Sequence, residues 1–517
     1  MNPVQIIGAG LAGLSAAIHL AQEGIPCHLI SPQPSERAQS VLAEGGINAV
    51  LNTMGEADEI QNHFEDTIRG GCYLADEKAV LGLVKEAPQI VRWLRNLLVP
   101  FNLEGGEIVQ RNFGGQKKKR TAYAKSSTGK VLMTALIDEA RKYEAAGLIT
   151  RYSHHELTEL ILSERQECEG VIIRDRYRNE YLAMRGIVVL ASGGMNGLFP
   201  YRTTGTTTNS ANVTAKVFEQ GMKLANLEMI QYHPTTIGIS GKRCLISEAA
   251  RGEGGRLFVM ESGKPRYFME EKYPELKNLM PRDVISKEMV MTKKQVYLDM
   301  TGLTDAVWRD RLSDLRQEIM QYLLLDPKKD PIPVEPGIHY FMGGIWVDEN
   351  HRTSIGDAYA IGECCMQYHG ANRLGGNSML GAIYGGKKAA QDIVQRYGKE
   401  NFHTDTAPER VRAKGSVETP WISEKIGSCL YRGMGIVRTE DEIQKSLREL
   451  EELLNSERVS ETDENRIYLG IALLRLASLR KESRGAHIRA DYPKTLEEYK
   501  KMTVVTRKGC DINAGFI

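Results

Sequence analysis

The first thirty residues alternate between short apolar runs and one amphipathic segment. Residues 4–7 (Val-Gln-Ile-Ile) predict a short strand, and residues 26–30 predict a second one. Between them, the apolar side chains at positions 14, 17, 18 and 21 have the spacing that keeps one face of a helix apolar. Gly24 ends this predicted helix of residues 14–22. The pattern therefore predicts a β-α-β unit at the start of the chain.

Two later apolar segments resemble the first strand. Residues 186–192 are followed by a Gly-Gly pair, and residues 358–361 are followed by Gly362. Strands that are apolar throughout are typical of a parallel sheet that is buried on both faces. Because the carboxyl ends of parallel strands share one edge, we expect all three strands to face one ligand. The predicted fold class is α/β, with a Rossmann-like domain.

The composition changes between about residue 228 and residue 344, where Pro, Lys and Asp are more frequent and only short elements are predicted. An insertion that leaves the sheet domain and returns to it is the simplest explanation. From about residue 408 the pattern becomes helical, with helical spacing in 443–454 and 469–479. The predicted divisions are a sheet domain in two parts (1–226 and 340–400), an inserted α+β capping domain (227–339, the cap), a helical domain (408–485) and a C-terminal tail (486–517).

Composition limits the classes of function. Lys and Arg together number 67 and Asp and Glu 66 among 517 residues, which gives a net charge of +1. Without a strong basic excess, neither nucleic acid nor an anionic membrane surface is expected as a partner. The 50 glycines indicate tight turns and close backbone approaches, as in nucleotide-binding folds. The short basic run 117–120 is interpreted as a solvated loop, with a contact to a partner or a phosphate as the alternative.

Cysteine usage indicates a reducing compartment. The eight cysteines form no C-x-x-C motif, and only Cys364 and Cys365 are adjacent, so no metal or iron–sulfur site is expected within the chain. Residues 1–8 lack the basic segment and cleavage site of a signal peptide, and no apolar run approaches the ~18 residues of a membrane-spanning helix. We expect a cytoplasmic protein without a membrane span of its own.

A glycine motif joins the first strand to the first helix. Residues 8–13 (Gly-Ala-Gly-Leu-Ala-Gly) match GxGxxG in the required strand–helix context. In such a turn Gly8 permits the tight bend, Gly10 lets a pyrophosphate approach the backbone, and Gly13 lets helix and strand pack closely. Ser31 stands where an acidic residue usually binds a ribose, which weakens an NAD interpretation. The motif therefore predicts a dinucleotide, but not NAD in particular.

Further glycines favour FAD over NAD. The pair Gly45-Gly46 lies in a loop soon after the first unit, and Gly193 and Gly362 follow the later strands. A large tricyclic flavin needs close backbone approaches from several places, whereas a nicotinamide needs fewer. We therefore expect FAD as the cofactor and the sheet domain as the FAD-binding domain.

An ordered set of motifs extends over about residues 1–400 and returns at residues 482–487. Its members are Ala-Glu-Gly-Gly-Ile at 43–47, Gln-Tyr-His-Pro-Thr at 231–235, Ser-Glu-Ala-Ala-Arg-Gly-Glu-Gly-Gly at 247–255, Pro-Arg-Asp at 281–283, His-Tyr-Phe-Met-Gly-Gly at 339–344 and His-Gly-Ala-Asn-Arg-Leu-Gly-Gly-Asn-Ser at 369–378. On these motifs the chain resembles the flavoprotein subunits of succinate dehydrogenase and fumarate reductase, and their relative L-aspartate oxidase. The resemblance implies an FAD-dependent oxidoreductase acting on a two-carboxylate acid such as fumarate or succinate.

The resemblance also implies a substrate site between the FAD-binding domain and the cap. His233, Ser247, His339 and Arg373 match the carboxylate-binding set of the family. The chemistry agrees, because reducing a C=C bond flanked by carboxylates needs groups that hold both carboxylates and polarise the bond. An arginine offers a planar pair of donors suited to that task.

Arg282 matches the general acid and base of the family, and Glu248 and Arg251 match its proton relay. A free arginine has a pKa above about 12, so it acts as a proton shuttle only if a relay reloads it. We expect hydride transfer at flavin N5, with Arg282 giving or taking the proton. The resemblance also implies that the cap rotates to exclude water during the chemistry.

Two departures from the family pattern concern the cofactor. Gln39 stands where membrane-bound members have the histidine that is bonded to the flavin, so we expect non-covalent FAD, which suits fumarate reduction better than succinate oxidation. Asn212 stands at the aspartate of a Gly-Asp-Gly turn and keeps its shape without its charge. The residues expected to bind FAD are Gly8, Gly10, Leu11, Ala12, Gly13, Ser31, Ser40, Gly45, Gly46, Gly193, Asn212, Glu363, Asn377 and Ser378.

One loop separates two activities within the family. Aspartate oxidases carry a glutamate before a Gly-Gly pair, suited to the substrate ammonium, whereas this chain has Phe113. We therefore expect fumarate reductase or succinate dehydrogenase activity. The alternatives are L-aspartate oxidase, which the length and the non-covalent flavin favour, and a reductase of another unsaturated carboxylic acid.

The resemblance implies an iron–sulfur subunit as the protein partner. Through this partner the chain would lie at the inner face of the membrane, in a peripheral position. A chain that is inert toward substrate until this partner docks is compatible with the same residues. A flavin-binding protein without catalysis is disfavoured, because only substrate chemistry explains the retention of His233, Arg282, His339 and Arg373 together.

Overall fold

A five-stranded parallel sheet lies at the centre of the computed structural model, which describes residues 1–125, 127–239, 241–404, 407–412, 417–456 and 459–517. The order of the strands across the sheet is Ala358–Ala360, Val188–Leu190, Val4–Ile7, Cys27–Ser31 and Ile149–Ser153. The three strands that were predicted to end at glycine are immediate neighbours, and all pair in parallel. The α/β, Rossmann-like prediction is therefore confirmed.

The first helix covers Leu11–Gln22 and begins three residues before its predicted start. Gly10 is its N-cap residue, so the glycine motif runs directly into the helix. A Cβ atom at Gly13 would lie 1.9 Å from the carbonyl oxygen of Gly8, which only glycine avoids. Gly13 therefore allows the close packing of helix against strand that the motif predicts.

A second helix of this domain, Asn377–Tyr397, packs against the first one through small residues. A Cβ atom at Gly386 would lie 2.6 Å from the carbonyl oxygen of Ala12 and 2.7 Å from the amide nitrogen of Ala16. The backbones of the two helices are therefore in contact at this position, and glycine is required there.

Elements outside the central sheet complete the FAD-binding domain. An antiparallel sheet contains, in order, Glu409–Val411, Tyr181–Arg185, Cys168–Asp175 and His155–Leu162. Two small sheets contain Ile47–Asn48, Thr121–Ala122 and Gln110–Arg111 in one, and Leu103–Glu104 and Glu107–Ile108 in the other. Further helices are Ile60–Gly70, Glu77–Asn96, Thr128–Ala145 and Asn212–Glu219.

The cap contains a six-stranded antiparallel sheet and has its own apolar core. The strand order is Lys242–Leu245, Ile230–Ile239, Ile332–Phe341, Val296–Asp299, Arg256–Glu261 and Lys264–Arg266. Its helices include Ala249–Gly252, Phe268–Lys272, Arg282–Met291, Asp305–Asp310 and Ser313–Leu323. The strand that enters the cap pairs with the strand that leaves it, and the boundary predicted at residue 339 falls inside the second of them.

The C-terminal part of the chain is helical, as predicted. Its longer helices are Pro420–Gly433, Glu440–Leu454 and Glu461–Leu479. The last two contain the segments that were recognised from helical spacing, and all three pack against one another. Their packing surface is apolar and continues into the core of the FAD-binding domain.

The C-terminal residues, predicted only as a tail, contain a β-hairpin formed by Thr503–Lys508 and Asp511–Phe516. The first hairpin strand pairs with Leu224–Ala225, just before the chain enters the cap. The tail is therefore part of a sheet that also contains Gly344–Trp346 and Cys365–Met366.

A buried ion pair fixes the connection to the cap. The carboxylate of Glu228 accepts hydrogen bonds from Arg480 Nε at 2.7 Å and from Thr503 Oγ1 at 2.8 Å. Glu482 accepts a further hydrogen bond from Arg480 Nη1 at 3.0 Å. All four side chains are fully buried. The helical domain and the hairpin therefore both hold the segment that leads into the cap.

All eight cysteines are free. Within the described ranges, no three His, Cys, Asp or Glu side chains are grouped so that they could hold a metal ion. Over the same ranges, no helix combines the length and the apolar character needed to cross a membrane.

Candidate active site

A cavity of about 570 Å³ lies at the carboxyl ends of the central strands, between the FAD-binding domain and the cap. The predicted cofactor residues that line it are Gly8, Gly10, Leu11, Ala12, Ser31, Ser40, Gly45, Gly46, Gly193, Asn212, Glu363 and Ser378. The predicted substrate and proton-transfer residues that line it are His233, Ser247, Glu248, Arg282, His339 and Arg373. One cavity therefore brings together both sets of residues.

Glycine backbones form the floor of the cavity. Gly8 has a φ of +123°, and a Cβ atom there would lie 2.1 Å from the carbonyl oxygen of Ala191. Gly193 has a φ of +76°, and a Cβ atom there would lie 2.5 Å from Asn209 Nδ2. Because any side chain would strain both positions, the bare backbone is available to a flat or phosphorylated ligand.

Asn377 does not line the cavity, in contrast to the prediction. Its side chain accepts hydrogen bonds from Asn48 Nδ2 at 2.8 Å and from His63 Nε2 at 3.1 Å, and it donates one to Thr67 Oγ1 at 3.0 Å. With these partners it fixes the start of the helix, and the next residue, Ser378, lines the cavity instead. Gly13 is likewise outside the lining and acts through packing.

Two polar side chains of the cavity wall suit a cofactor with hydroxyl groups. Asn212 Oδ1 is buried and has no hydrogen-bond partner within the described part of the chain. Glu363 accepts a hydrogen bond from the amide of Phe341 at 3.1 Å, yet burial raises the pKa of its carboxyl to about 7. Buried acceptors of this kind are normally paired, so both fit a bound ligand that donates hydrogen bonds, such as the ribityl or ribose hydroxyls of FAD.

The serines and the glutamine of the first loops are partly engaged with the backbone. Ser40 Oγ accepts a hydrogen bond from the amide of Leu11 at 3.2 Å, which ties this loop to the glycine motif. Ser31 Oγ donates to the carbonyl oxygen of Gln33 at 2.6 Å. Gln39 Oε1 accepts a hydrogen bond from the amide of Thr206 at 2.5 Å and lies on the cavity wall.

Two histidines of the carboxylate-binding set face each other, with ring centroids 5.1 Å apart. His339 Nδ1 is 2.8 Å from Thr204 Oγ1, and His233 Nε2 is buried without a partner among the described residues. Burial, together with the charge of Arg282, holds the pKa of both histidines well below the ordinary value. Both rings are therefore neutral at physiological pH and can each donate one hydrogen bond.

Arg373 is a buried cation that forms no ion pair with a carboxylate in the described part of the chain. Its guanidinium carbon lies 4.5 Å from the centre of the Tyr340 ring, and its Nε has no hydrogen-bond partner in the described ranges. Burial, with the nearby charge of Arg282, lowers the pKa of Arg373 to about 9. It therefore remains charged at neutral pH, and an incoming carboxylate would satisfy it.

Arg282 is held by a carboxylate and an amide. Its Nε and Nη2 donate to Glu248 Oε2 at 2.9 and 2.6 Å, and its Nη1 donates to Gln231 Oε1 at 3.1 Å. Burial alone would raise the pKa of Glu248, but the charges of Arg282 and Arg251 outweigh it and hold that pKa at about 2. Glu248 is therefore ionised.

Arg251 lies behind Glu248 and does not line the cavity. Its Nη2 is 3.9 Å from Glu248 Oε1, and its Nη1 donates to the carbonyl oxygen of Asn278 at 2.7 Å. Burial lowers the pKa of Arg251 to about 10 despite the attraction of Glu248. The three residues therefore form a row that leads from the cavity wall into the cap.

Gln231 is a site residue that sequence reasoning did not assign. Besides accepting from Arg282, its Nε2 donates to Asn372 Oδ1 and to the carbonyl oxygen of Arg373, both at 2.8 Å. It therefore joins the two arginines of the cavity. Its place at the start of the 231–235 motif, two residues before His233, was the available signal.

Glu44 and Phe113 also line the cavity. Burial, with the neighbouring charge of Glu318, raises the pKa of Glu44 well above the ordinary value, and its Oε2 has no partner among the described residues. Phe113 is almost fully buried and presents an apolar ring to the cavity.

The interpretation of residues 117–120 as a solvated loop is wrong for Arg120. This side chain is fully buried, donates to both carboxylate oxygens of Asp58 at 2.9 and 3.0 Å, and donates to Asp66 at 2.8 Å. A buried arginine needs such partners, and these lie about sixty residues earlier in the chain. Arg120 therefore ties the loop that carries Phe113 to the helix Ile60–Gly70.

The parallel sheet, the glycine-lined cavity and the buried Arg282 and Arg373 beside it indicate the class of protein, a dinucleotide-binding flavoprotein with an anion site. A family model described as "FAD binding domain" matches residues 4–379, and one described as "Fumarate reductase flavoprotein C-term" matches residues 423–514. The chain belongs to the succinate dehydrogenase and fumarate reductase flavoprotein family, which includes L-aspartate oxidase. It is accordingly an FAD-binding oxidoreductase.

Individual relatives cover nearly the whole chain. The succinate dehydrogenase flavoprotein subunit of Bacillus subtilis is 34% identical, over 97% of this chain and 93% of its own length. The L-aspartate oxidase of Pyrococcus furiosus is 33% identical, over 98% of this chain and 99% of its own. Among solved structures, a variant of the quinol fumarate reductase of E. coli superposes with a TM-score of 0.85 at 27% identity, covering 100% of this chain and 96% of that one.

Proposed function

We propose that the chain interconverts fumarate and succinate. The observation that carries this proposal is the common cavity, which is lined by Arg282 with its partner Glu248, by Arg373 and by the glycines that we expect to bind FAD. Reduction adds a hydride to one alkene carbon and a proton to the other, and oxidation removes both. When bound, FAD supplies or accepts the hydride.

The substrate carboxylates bind to the cationic and hydrogen-bonding groups of the cavity. Arg373 binds one carboxylate, because its guanidinium is buried and charged and its Nε has no hydrogen-bond partner among the described residues. The neutral His233 and His339 donate hydrogen bonds, with Ser247 beside them. This arrangement polarises the C=C bond and excludes water from it.

Arg282 exchanges the proton with the substrate carbon. Loss of a proton from a guanidinium is unfavourable, so a donor must restore the proton in the same turnover. The ionised Glu248 contacts Arg282 on one side and lies next to Arg251 on the other. In fumarate reduction Glu248 accepts a proton from Arg251 and passes it to Arg282. In succinate oxidation the same proton transfers run in the reverse order.

The FAD is non-covalent in this proposal. Gln39 lies on the cavity wall, and an amide cannot form the histidyl bond of the membrane-bound relatives. Denaturation of the holoprotein with acid should release all of the flavin into the soluble fraction. Flavin fluorescence that stays with the denatured protein on a gel would contradict this.

L-aspartate oxidase is the second candidate, and the match to the Pyrococcus furiosus enzyme over 98% of this chain favours it. Against it, Phe113 presents an apolar ring to the cavity, where a substrate ammonium needs an anion. Reduction of another unsaturated acid is a third possibility that the same anion-binding groups would permit.

One set of assays tests these candidates. We expect the FAD-loaded chain to oxidise reduced viologen with fumarate under anaerobic conditions and to reduce a dye with succinate. If the chain formed peroxide from L-aspartate in air and did not turn over fumarate, L-aspartate oxidase activity would replace the proposed interconversion of fumarate and succinate. No turnover of any of the three acids, combined with unchanged flavin spectra, would refute both.

We also propose an iron–sulfur subunit as the electron-transfer partner, and a peripheral position at the inner membrane face through it. The family membership supports this partner. Turnover with reduced viologen by the chain alone would show that chemistry at the cavity does not require the partner. Turnover only after addition of the partner would place the chain among strictly dependent subunits.

A further inference from the structure

The carboxylate of Glu248 lies between two glycines of the opposite domain. The amide of Gly114 donates a hydrogen bond to Glu248 Oε1 at 2.7 Å. A Cβ atom at Gly114 would lie 2.6 Å from this oxygen, and a Cβ atom at Gly375 would lie 3.3 Å from Glu248 Oε2. Gly114 and Gly375 therefore form a narrow slot that is filled by the carboxylate.

The slot and its occupant belong to different domains. Glu248 is part of the cap, whereas Gly114 and Gly375 belong to the FAD-binding domain. The backbone of the cap also approaches the slot, because a Cβ atom at Gly114 would lie 3.2 Å from the carbonyl oxygens of Leu279 and Met280. The contact between Gly114 and Glu248 therefore exists only when the cap is seated on the FAD-binding domain.

The hydrogen bond from the Gly114 amide also leaves only one oxygen of Glu248 available to Arg282. Oε1 is occupied by the Gly114 amide and faces Arg251, so Oε2 alone accepts both hydrogen bonds from Arg282. Without the amide the carboxylate could rotate about its last torsion, because carboxylate torsions have broad minima. The Gly114 amide therefore orients the central group of the row.

We infer that Gly114 is a positioning residue that completes the proton relay only when the cap is seated, so that closure and relay assembly are one event. This inference rests on the proposed function, because it assigns Glu248 a role in proton transfer. Gly114 touches neither substrate nor cofactor in this role. It acts through the orientation of Glu248.

The first test needs no substrate and uses hydrogen–deuterium exchange of the FAD-loaded chain. We expect slow exchange of the Gly114 amide in the unaltered protein and in Glu248→Gln, whose side-chain oxygen still accepts a hydrogen bond. Glu248→Ala should accelerate exchange at this amide. Equal exchange in Glu248→Ala and in the unaltered protein would overturn the inference, whether or not the chain reduces fumarate.

The second test uses Gly114→Ala, with Gly252→Ala as its matched control. Neither glycine has a positive φ, and the nearest atom to a Cβ at Gly252, the Asn112 carbonyl oxygen, is at a comfortable 3.6 Å. Misplacement by about 1 Å can reduce a rate by on the order of 10²-fold, so we expect a fall of this size in kcat for Gly114→Ala. Gly252→Ala should remain active.

The solvent deuterium isotope effect distinguishes a misoriented Glu248 from a loss of folded or flavin-loaded protein in Gly114→Ala. In Gly114→Ala we expect a larger solvent deuterium isotope effect on kcat, with the flavin content and the melting temperature close to those of Gly252→Ala. Unchanged kcat and isotope effect in Gly114→Ala would overturn the inference. If the unaltered chain turned over no dicarboxylate, the proposed function would fail, and the exchange test would still decide whether the slot exists.

Discussion

The two arginines of the cavity have opposite surroundings. Arg282 is held by Glu248 and Gln231, whereas Arg373 lies against the Tyr340 ring and its Nε has no hydrogen-bond partner that the described residues supply. A buried donor without a partner is unfavourable, so an unpaired guanidinium binds an anion more readily than a paired one. These surroundings support binding by Arg373 and proton exchange by Arg282.

Removal of the Arg282 guanidinium tests this division. We expect Arg282→Ala to lower kcat by about 10²- to 10⁴-fold, the range typical of lost general acid catalysis, while FAD and fumarate still bind. Stopped-flow turnover and the change in the flavin spectrum on addition of fumarate would measure the two effects. Arg309→Ala, at an exposed arginine that pairs with Asp310, is the matched control. Near-normal turnover in Arg282→Ala would refute the role.

The ion pair between Arg282 and Glu248 makes the stability of the fold depend on pH. The pKa of Glu248 is about 2 in the folded chain, below its ordinary 4.5, so the folded state binds this proton less readily than the unfolded state. Its stabilising contribution is therefore complete above about pH 4.5 and is lost as the pH falls toward 2. The shift corresponds to about 3 kcal/mol.

We expect Glu248→Gln to lose less stability than the unaltered chain between pH 4.5 and 2. Thermal melting across this range would measure the difference in slope. Parallel curves for the two proteins would mean that Glu248 is not held in its ionised form by Arg282 and Arg251.

At the scale of elements, the glycine motif depends on a helix from the far end of the FAD-binding domain. Gly386, in the helix Asn377–Tyr397, touches the backbone of the first helix at Ala12 and Ala16. The first helix begins at the glycine motif, which lines the cavity and which we expect to bind the cofactor, so displacement of the second helix moves this cofactor loop as well.

Gly386→Ala should therefore lower both stability and FAD content. Overpacking of a tight contact costs about 1–3 kcal/mol, and here the extra methyl would push the two helices apart. Melting temperature and flavin absorbance per chain would measure the effects. Gly302→Ala is the control, because no atom of the described residues lies within 4 Å of a Cβ there. Equal flavin content in both variants would argue against coupling between helix packing and the cofactor loop.

The elements that could be predicted are those with local signals. The strands at 4–7 and 358–360 and the helices around 443–454 and 469–479 follow from apolar periodicity, which depends only on neighbours in the chain. The antiparallel strands His155–Leu162 and Cys168–Asp175 mix buried and half-buried positions without a regular alternation and were not recognised. The hairpin at 503–516 is local, with its strands paired across the turn Gly509-Cys510, and was nevertheless missed; only its second pairing, with residues 224–225, lies beyond the reach of a local pattern.

In the candidate active site, too, residues within local motifs could be predicted and contacts between distant residues could not. Motifs identified Arg282, Glu248 and Arg373, and one cavity contains all three. The burial of Arg120 and the contact between Gly114 and Glu248 depend on partners far away in the chain, so no local pattern could indicate them. Asn377 was assigned to the cofactor because of its motif, but its side chain points to Asn48, His63 and Thr67.

At the scale of the whole molecule, the C-terminal part holds the entrance to the cap. Arg480 donates to the carboxylates of Glu228 and Glu482 in a fully buried cluster. Such a cluster stabilises the fold only while it is complete, because each remaining charge would be buried without a partner.

Arg480→Met should therefore destabilise the chain by about 3–5 kcal/mol, the range seen when one partner of a buried ion pair is removed. Chemical denaturation would measure the loss. Lys481→Met, at the neighbouring exposed position, is the matched control and should melt like the unaltered protein. Similar stability of the two variants would show that the cluster is not required for folding.

Because distant parts of the sequence build the cavity together, the cavity can form only late in the synthesis of the chain. The walls of the cavity include residues from Ile7 to Asn465, and one of the two neighbours of the strand Leu224–Ala225 is Thr503–Lys508, which lies far later in the chain. A growing polypeptide on the ribosome therefore has no finished flavin pocket until almost all of it has been translated. We therefore expect flavin to bind after release of the nascent chain, and an amino-terminal fragment on its own to stay colourless.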